Sequence, residues 1–471
     1  MATLPADARA DFQNRPVSRL EERPEEGARL SRLRLAGFAS IAVPIYGAAL
    51  PLVMFVPQLY AAEYGLSLAT IGLIFFVGRF WDVAIDPLIG ALSDRTRSHF
   101  GRRRPWIAAG GLVFGLSSAL LFFPSPSLVT PAYLAMVLFL FYVGWSMVEI
   151  PFSARTGELS ASYHGRTRVV GYQLTSRALG VLAVLVLPTI LEQFDPSNGV
   201  LKLNLVGGFI LATLLPSLIV HLLVLPEAPA SEAPALRQGI AHTVGIIFSD
   251  RLLLRVLASD IMVTTGQSFR AGLIVFFVVW YMGLPAWASG LYLLQFIFGV
   301  AAAPIWQRIG GRIGKREAAI VGELTQAAIN LALLFVFPGG LPLLVILTIA
   351  QGLTQGSGNL MLRAMVVDVA DAQRLRTGQD RTGLLFSVFA LSEKLGPAIG
   401  IGIAMSLVGW AGFTPGPNNS SQALEMLKYV FVLGPALAHI AATPIIWRFP
   451  LDEAAHADIR RALEQRDALP A

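Results

Sequence analysis

RFWDVAIDPLIGALSDRTRSHFGRRRPWI, residues 79–107, is the stretch on which the fold turns. Its leading part is apolar enough to lie in lipid as a helix, yet it carries Asp82 and Asp86, and it empties into a loop holding five arginines. Residues four apart share one helical face, so the two carboxylates project the same way. An ionisable side chain within hydrocarbon is costly and is found facing a bundle interior or a water-filled cavity. The pair therefore predicts a functional pocket inside a bundle of membrane helices.

The whole chain agrees with that reading. Its 471 residues are 55% hydrophobic and only 14% charged, with a mean hydropathy of +0.63, whereas a water-soluble domain carries about 25% charged residues. No cysteine is present, which excludes disulfides, thiolate metal sites and a cysteine nucleophile. The net charge of +6 resides largely in short loops between apolar runs. It reads as membrane orientation, and no nucleic-acid partner is expected. Residues 1–35 mix arginines with Glu21, Glu22, Glu25 and Glu26 and lack an apolar core of signal-peptide length, so they are expected to form a cytoplasmic tail.

A helix crossing about 30 Å of hydrocarbon needs roughly 20 predominantly apolar residues. Twelve windows qualify, with cores at 36–61, 68–93, 105–123, 131–155, 170–192, 203–225, 253–281, 287–306, 317–337, 342–367, 384–409 and 428–449. Basic residues follow the even-numbered windows, as in Arg95, Arg97, Arg102, Arg103 and Arg104, then Arg155, Arg166 and Arg168, then Arg308, Arg312, Lys315 and Arg316, then Arg374, Arg376 and Arg381. PSPSLVT at 124–130, MGLPAWA at 282–288 and FPGGLP at 337–342 contain neither lysine nor arginine. The positive-inside bias predicts a multi-pass protein of a bacterial inner membrane with both termini cytoplasmic.

PEAPASEAPALRQG at 226–239 has linker composition. The expected plan is a tail at 1–35, a six-helix half at 36–225, a cytoplasmic linker at 226–252, a second six-helix half at 253–450 and a tail at 451–471. IGALSDRTRSHFGRRRPWI at 89–107 finds a weaker echo in APIWQRIGGRIGKREAAI at 303–320. The two halves therefore read as parallel repeats, an arrangement in which secondary transporters bind solute near the bilayer midplane.

The Gly-x-x-Ser-Asp-Arg run followed by Gly-Arg-Arg, with Asp94, Arg95, Gly101, Arg102 and Arg103, resembles the loop motif of the major facilitator superfamily. There it acts as a conformational latch between halves. Within that superfamily, the 79–107 stretch, WSMVEIPF at 145–152, GRTRVVGYQ at 165–173 and MVVDVADAQRLRTGQDRTGLLFSVFALSEKLG at 365–396 resemble the glycoside-pentoside-hexuronide:cation symporter family. The resemblance implies an all-α membrane protein with twelve transmembrane helices in the major facilitator fold. It also implies secondary active symport, by alternating access, of an organic solute such as a sugar or glycoside with sodium or a proton. The family's cation-binding groups fall on Asp82, Asp86, Ser146, Glu149 and Lys394. A small hard cation seeks oxygen ligands, and three carboxylates gathered in low dielectric cannot all stay ionised without compensation. Lysine, proton or sodium must balance them.

The sequence departs from the sugar-transporting members in four places. Helix 1, PIYGAALPLVMF at 44–55, has no acid and offers Tyr46; Ser153 replaces an aromatic after the helix-4 acid; Asn359 replaces an aromatic on helix 10; and Gln173 replaces a helix-5 arginine, with Arg177 one turn further on. Tyr46, Glu149, Gln173, Arg177, Asp260, Gln267, Arg270 and Asn359 are the expected solute-binding residues. Snorkelling or an ion pair with Asp260 competes with solute binding as the role of Arg270. His221 and His439 have no metal partners nearby in sequence and are expected to be satisfied or cavity-facing imidazoles rather than metal ligands or proton relays. An uncharged helix 1 also admits an amphiphile, as in the sodium-dependent lysophospholipid carriers that share this fold. The Asp-x-x-x-Asp spacing of DVAID further matches the magnesium–diphosphate sites of membrane prenyltransferases. Those enzymes need a second acid pair, and Asp368 and Asp371 have the wrong spacing, so no enzyme is expected. Neither a cofactor nor a metal centre is anticipated, and the partners are solute and lipid around a monomer.

Overall fold

The computed structural model describes residues 31–159, 163–225, 250–379 and 381–467. The expected N-terminal tail through residue 30 and residues 226–249 of the expected linker lie outside them. Among the described residues all regular secondary structure is helical. Twelve helices are long and apolar enough to cross a membrane: α1 (Ala42–Ala62), α2 (Leu68–Arg95), α3 (Arg104–Phe122), α4 (Pro131–Thr156), α5 (Thr167–Leu191), α6 (Gly199–Val224), α7 (Arg251–Tyr281), α8 (Pro285–Ile313), α9 (Lys315–Phe335), α10 (Leu341–Thr377), α11 (Thr382–Trp410) and α12 (Ser421–Trp447). A further helix, α13 (Glu453–Asp467), occupies most of the expected C-terminal tail.

Side chains at the chain reversals start several helices. Ser67, Thr130, Asn198 and Ser420 each accept a hydrogen bond from a first-turn amide of α2, α4, α6 and α12, satisfying donors that a helix start leaves open. These caps share the face opposite the arginine-rich loops. On the basic face, the α2–α3 and α8–α9 connections turn at Gly101 and Gly314, with φ of 99° and 95°. Glycine enters that region at no steric cost, so the echo seen in sequence is also an echo of backbone conformation.

Three helices extend beyond the expected windows for one reason. α6 begins before Lys202, α12 before Lys428, and α10 runs past Asp368, because each charge has a partner. Lys202 pairs with Glu192 at 2.7 Å, Lys428 lies over the Tyr281 and Phe337 rings at 5.2 and 5.3 Å, and Asp368 holds Lys315 at 2.6 Å. α10 is also divided. Gly356, at φ 87°, separates Leu341–Thr354 from Ser357–Thr377. Against α10 on the basic face docks α13, whose His456 reaches Asp368 and Asp371 at 3.4 and 3.3 Å and whose Arg466 donates to the Arg374 carbonyl at 2.9 Å.

Each half packs around its own helices, α3 on α4 and α1 on α5 in the first, and α7 on α11 and α12 in the second. The halves meet where α2 faces α11, α5 faces α8 and α1 faces α7. Displacing any of these pairs by six helices returns the same set, the pattern of two parallel repeats about an axis along the membrane normal. At the α2–α11 seam a Cβ on Gly72 would stand 3.0 Å from the Gly402 carbonyl, and one on Gly409 would stand 2.8 Å from the Ala69 amide. Small residues permit that approach. At the α5–α8 seam Glu192 accepts from the Ser289 amide at 2.8 Å and from its hydroxyl at 2.7 Å, closing the first turn of α8 with a carboxylate from the other half. Both seams lie toward the face opposite the basic loops, so the halves are joined there.

Two outcomes follow. Ser289→Ala removes one hydrogen bond of the seam, worth roughly 1–2 kcal/mol, and a cysteine placed by Thr189→Cys in this cysteine-free chain should then react several-fold faster with an impermeant thiol reagent. On the basic face, Asp250 caps α7 through the Leu252 and Leu253 amides and receives Gln373 and Arg376. Burial opposes ionisation of Asp250, but these donors prevail and hold its carboxyl below the usual aspartate range. Its contribution is therefore present above the unfolded-state value and lost only as pH falls through the depressed one. Asp250→Ala should cost about 1–2 kcal/mol, read as a lowered melting temperature in detergent at neutral pH.

Candidate functional site

The helices that carry the expected cation ligands are each interrupted by proline close to the charge. Pro87 follows Asp86 in α2, Pro151 lies two residues after Glu149 in α4, and Pro397 lies three after Lys394 in α11. A helical proline removes the hydrogen bond to the carbonyl four residues back, which frees Val83, Met147 and Glu393 oxygens at the level of the charged side chains. In α1 the break at Ala48 falls two residues after Tyr46. Membrane helices tolerate such breaks where the freed groups face protein or a polar cavity.

The structure brings four of the five expected cation ligands into direct contact, with Glu149 within charge-interaction range of Lys394 and Asp86. Lys394 Nζ lies 2.5 Å from Asp86 Oδ2 and 3.1 Å from Asp82 Oδ2. Ser146 Oγ stands between the two carboxylates, 2.7 Å from Asp86 Oδ1 and 3.0 Å from Asp82 Oδ1. Asp82 is buried and also receives Arg79 Nη1 at 3.3 Å, with the Arg79 guanidinium 4.7 Å above the Tyr142 ring. Because Lys394 belongs to the second half and both aspartates to the first, this ion cluster crosses between the repeats. Ser146 has a single proton to donate and two carboxylates in reach, so one of its contacts lacks a donor while both acids are ionised.

Glu149 extends the cluster toward α1 and α5. Its Oε1 accepts from Tyr46 and from Ser153, each at 3.2 Å. Tyr46 is set by the Trp145 edge, with ring centroids 5.8 Å apart, and by the Arg177 guanidinium 4.4 Å from its ring centre. The hydroxyl of Ser153 thus feeds the carboxylate at the point where the aromatic is missing. Gln173 lies one turn before Arg177 and is half-buried. Across the second half Gln267 donates to Asn359 at 2.7 Å, joining two expected solute ligands beside the start of the second segment of α10.

Asp260 and Arg270 are placed differently. Both are buried within the second half, and they do not pair. Arg270 donates to Gln295 at 3.1 Å and Asn330 at 3.4 Å and lies over Phe431, while Asp260 accepts from Ser392. Arg363 approaches Glu393 at 3.8 Å, separate from Asp368 and Asp371. Of the latch residues, Asp94 and Arg103 pair at 3.2 Å within the first half, Arg95 is exposed and Gly101 buried. The Arg104 guanidinium donates to the Leu222 carbonyl, which ties the loop to α6.

Some polar groups escaped sequence reasoning. Gln295, Gln326, Asn330 and Gln351 sit in apolar windows as single amides, yet the last three form a buried chain in which Gln326 donates to Glu323, Gln351 to Gln326, and Asn330 to Gln351, while Arg270 bridges Gln295 to Asn330. The signal available was their very presence in lipid-length segments. His439 is not alone either, since Glu323 lies 2.6 Å from it. His221 meets the expectation, bound to the Phe38 carbonyl and Arg155.

Comparison with known proteins agrees with this architecture. The family model described as MFS/sugar transport protein matches residues 37–453. An uncharacterized symporter of Synechocystis sp. is 26% identical over 85% of this chain and 91% of its own length. A glucuronide carrier protein homolog of Escherichia coli is 22% identical over 88% and 91%, and a sodium-dependent lysophosphatidylcholine symporter of Danio rerio is 22% identical over 84% and 82%. Among solved structures, the nucleoside transporter NupG superposes with a TM-score of 0.62 at 12% identity, covering 89% of this chain and 99% of that one. These proteins are transporters, and nothing among them supports an enzyme.

Tyr46→Phe deletes one of two donors to Glu149 while keeping the ring beneath Arg177. Solute affinity should fall about tenfold to a hundredfold, consistent with one hydrogen bond to a charged group, with helix content unchanged by circular dichroism. By the extent of the family match, the chain belongs to the glycoside-pentoside-hexuronide:cation symporter family of the major facilitator superfamily.

Proposed function

We propose that the Asp82, Asp86, Ser146, Glu149 and Lys394 cluster binds the coupling cation and that Tyr46, Glu149, Arg177, Gln267 and Asn359 face the solute. The observation that carries this reading is the position of Lys394. It occupies the aspartate oxygens that an incoming cation would use, and it belongs to the opposite half. With Arg79 the cluster holds two fixed positive charges against three carboxylates, one negative charge in excess when all are ionised. One monovalent cation balances it. Like charges in low dielectric oppose one another's ionisation, so the cluster favours that cation strongly over emptiness.

Cation and Lys394 compete for Asp86. Entry of the cation weakens the bond that ties α11 to α2, and so changes a contact between halves whose relative movement is alternating access. A ligand shifts such an equilibrium only by its differential affinity for the two states, and a site divided between the halves supplies that difference. Glu149 belongs to both groups, within the charge cluster on one side and bonded to Tyr46 on the other. The basic loops face the cytoplasm under the positive-inside rule, which makes the joined α2–α11 and α5–α8 seams the outer barrier of this state. Sodium and proton both suit an all-oxygen site, the proton by resolving the single-donor contact at Ser146 and sodium by accepting both carboxylates.

The solute we infer is a hydroxyl-rich glycoside or sugar acid, because hydrogen-bonding groups line both repeats and Arg177 offers a cation beside Tyr46. An amphiphile is the second reading, favoured by the uncharged α1 and by the named activity of the Danio rerio relative. Uptake into proteoliposomes under separately imposed sodium and proton gradients, with neutral glycosides, hexuronides and lysolipids, tests both. Asp86→Asn and Lys394→Ala should each reduce gradient-driven accumulation by tenfold or more while the protein still elutes as a folded species. A tenfold loss corresponds to about 1.4 kcal/mol. Full accumulation by both variants would exclude the cluster as the coupling site.

A further inference from the structure

The second half buries ionisable groups that the central cluster does not use. Asp260 of α7, Glu323 of α9 and His439 of α12 are each fully shielded from solvent. Glu323 Oε2 lies 2.6 Å from His439 Nδ1, and its Oε1 receives Gln326 Nε2 at 3.4 Å. The same carboxylate abuts the second segment of α10, where a Cβ on Gly358 would stand 2.2 Å from Glu323 Oε1. The open start of that segment favours negative charge. Glu323 is thus compensated twice, by the imidazole and by the helix terminus.

Asp260 is not compensated. Its Oδ2 accepts from Ser392 at 2.7 Å, while Oδ1 is buried without a hydrogen-bond partner among the described residues. The charged groups acting on it are Glu393, Glu323 and Arg363. Glu393 and Arg363 engage one another nearer to solvent, and Glu323 is itself an acid. His439, on the neighbouring α12, is engaged by Glu323 at 2.6 Å. Two more buried polar atoms are unmatched here, His439 Nε2 and Ser357 Oγ. His439 Nε2 faces Gly266 on the helix of Asp260, and Ser357 Oγ faces Gly322, the neighbour of Glu323.

Among the described residues Asp260 makes no ion pair, whereas Glu323 has His439 beside it. An isolated ionised carboxylate removed from water is too costly to persist and is neutralised instead. We propose that Asp260, Glu323 and His439 form a proton-binding site in the second half, separate from the Lys394 cluster. Protonation forms one O–H bond on the Asp260 carboxyl with a proton delivered by hydronium from water, and the Ser392 hydroxyl, 2.7 Å from both Asp260 Oδ2 and the Phe389 carbonyl, keeps an acceptor for its single proton in either state. The site communicates with the cluster through α11. Ser392 stands two residues before Lys394, and α11 is locked against α7, since a Cβ on Gly396 would stand 1.8 Å from Thr264 Oγ1 and one on Gly400 would stand 2.5 Å from the Thr265 carbonyl. Gain or loss of the proton therefore alters a bond that sets the helix carrying Lys394.

Infrared difference spectra of the full chain in lipid, taken between mildly acidic and mildly alkaline pH, detect a protonated carboxyl directly. The expected wild-type spectrum contains the carbonyl stretch of a buried carboxylic acid belonging to Asp260, separate from any band of the Lys394 cluster. Asp260→Asn should abolish it. Ser392→Ala, which keeps the acid and removes its donor, should move it to higher frequency. His439→Gln should add a second such band, from a Glu323 that has lost its counter-charge. Asp86→Asn should leave the original band in place, so that failure here is distinguishable from failure of the cation-site reading. A wild-type spectrum without the band, or a band that survives Asp260→Asn unshifted or is lost in Asp86→Asn alone, overturns the proposal.

Discussion

The bond between Lys394 and the two aspartates of α2 is the constraint on which the rest of the molecule depends. It places an ammonium and two carboxylates inside a bundle, with Asp82 buried and Asp86 and Lys394 half-buried, and it does so where α2 of one half meets α11 of the other. Removing one partner of a buried pair leaves an uncompensated charge, at a cost of about 3–5 kcal/mol. Any species able to replace Lys394 at Asp86 therefore acts on the contact between halves. Both the compensation of charge and the coupling of the repeats come from that single arrangement.

The surrounding architecture serves to hold it. Prolines beside Asp86, Glu149 and Lys394 interrupt three helices at the level of the charges and leave backbone oxygens free there. Glycines at Gly72, Gly402 and Gly409 bring α2 and α11 close enough on the non-basic side for the Lys394 side chain to reach across. Glu192 closes α8 from the opposite repeat and, together with Lys202, buries a second ion pair at the α5–α8 seam. One seam is apolar and closely packed, the other charged and hydrogen-bonded, although the repeat makes them topological equivalents. Sequence divergence between the repeats has thus produced two kinds of joint.

Much of this was legible in the chain. Asp82 and Asp86 announced themselves because carboxylates are rare in apolar windows, and the family motifs carried Ser146, Glu149 and Lys394 with them. Helix ends were harder to read where a charge lay inside the membrane-spanning length. Lys202, Lys428 and Asp368 each looked like a terminus until their partners were known. Asp260 and Arg270, for which an ion pair competed with solute binding, turned out to have different companions, because helix periodicity tells which residues share a face but not which neighbour that face meets. The Glu323–His439 contact joins residues on two helices far apart in the chain, and no local pattern foretells it.

By itself the sequence determined that the chain is a bundle of twelve membrane helices in two repeats, with a charged centre and basic loops on one face. Hydrocarbon thickness, apolar run length and loop charge are local properties, and they leave little freedom. Tertiary structure alone decided that Lys394 reaches Asp86, that Tyr46 meets Glu149, and that Glu192 spans the seam. Such choices depend on the distance and rotation between helices, quantities set by small residues and proline breaks acting together across the whole bundle.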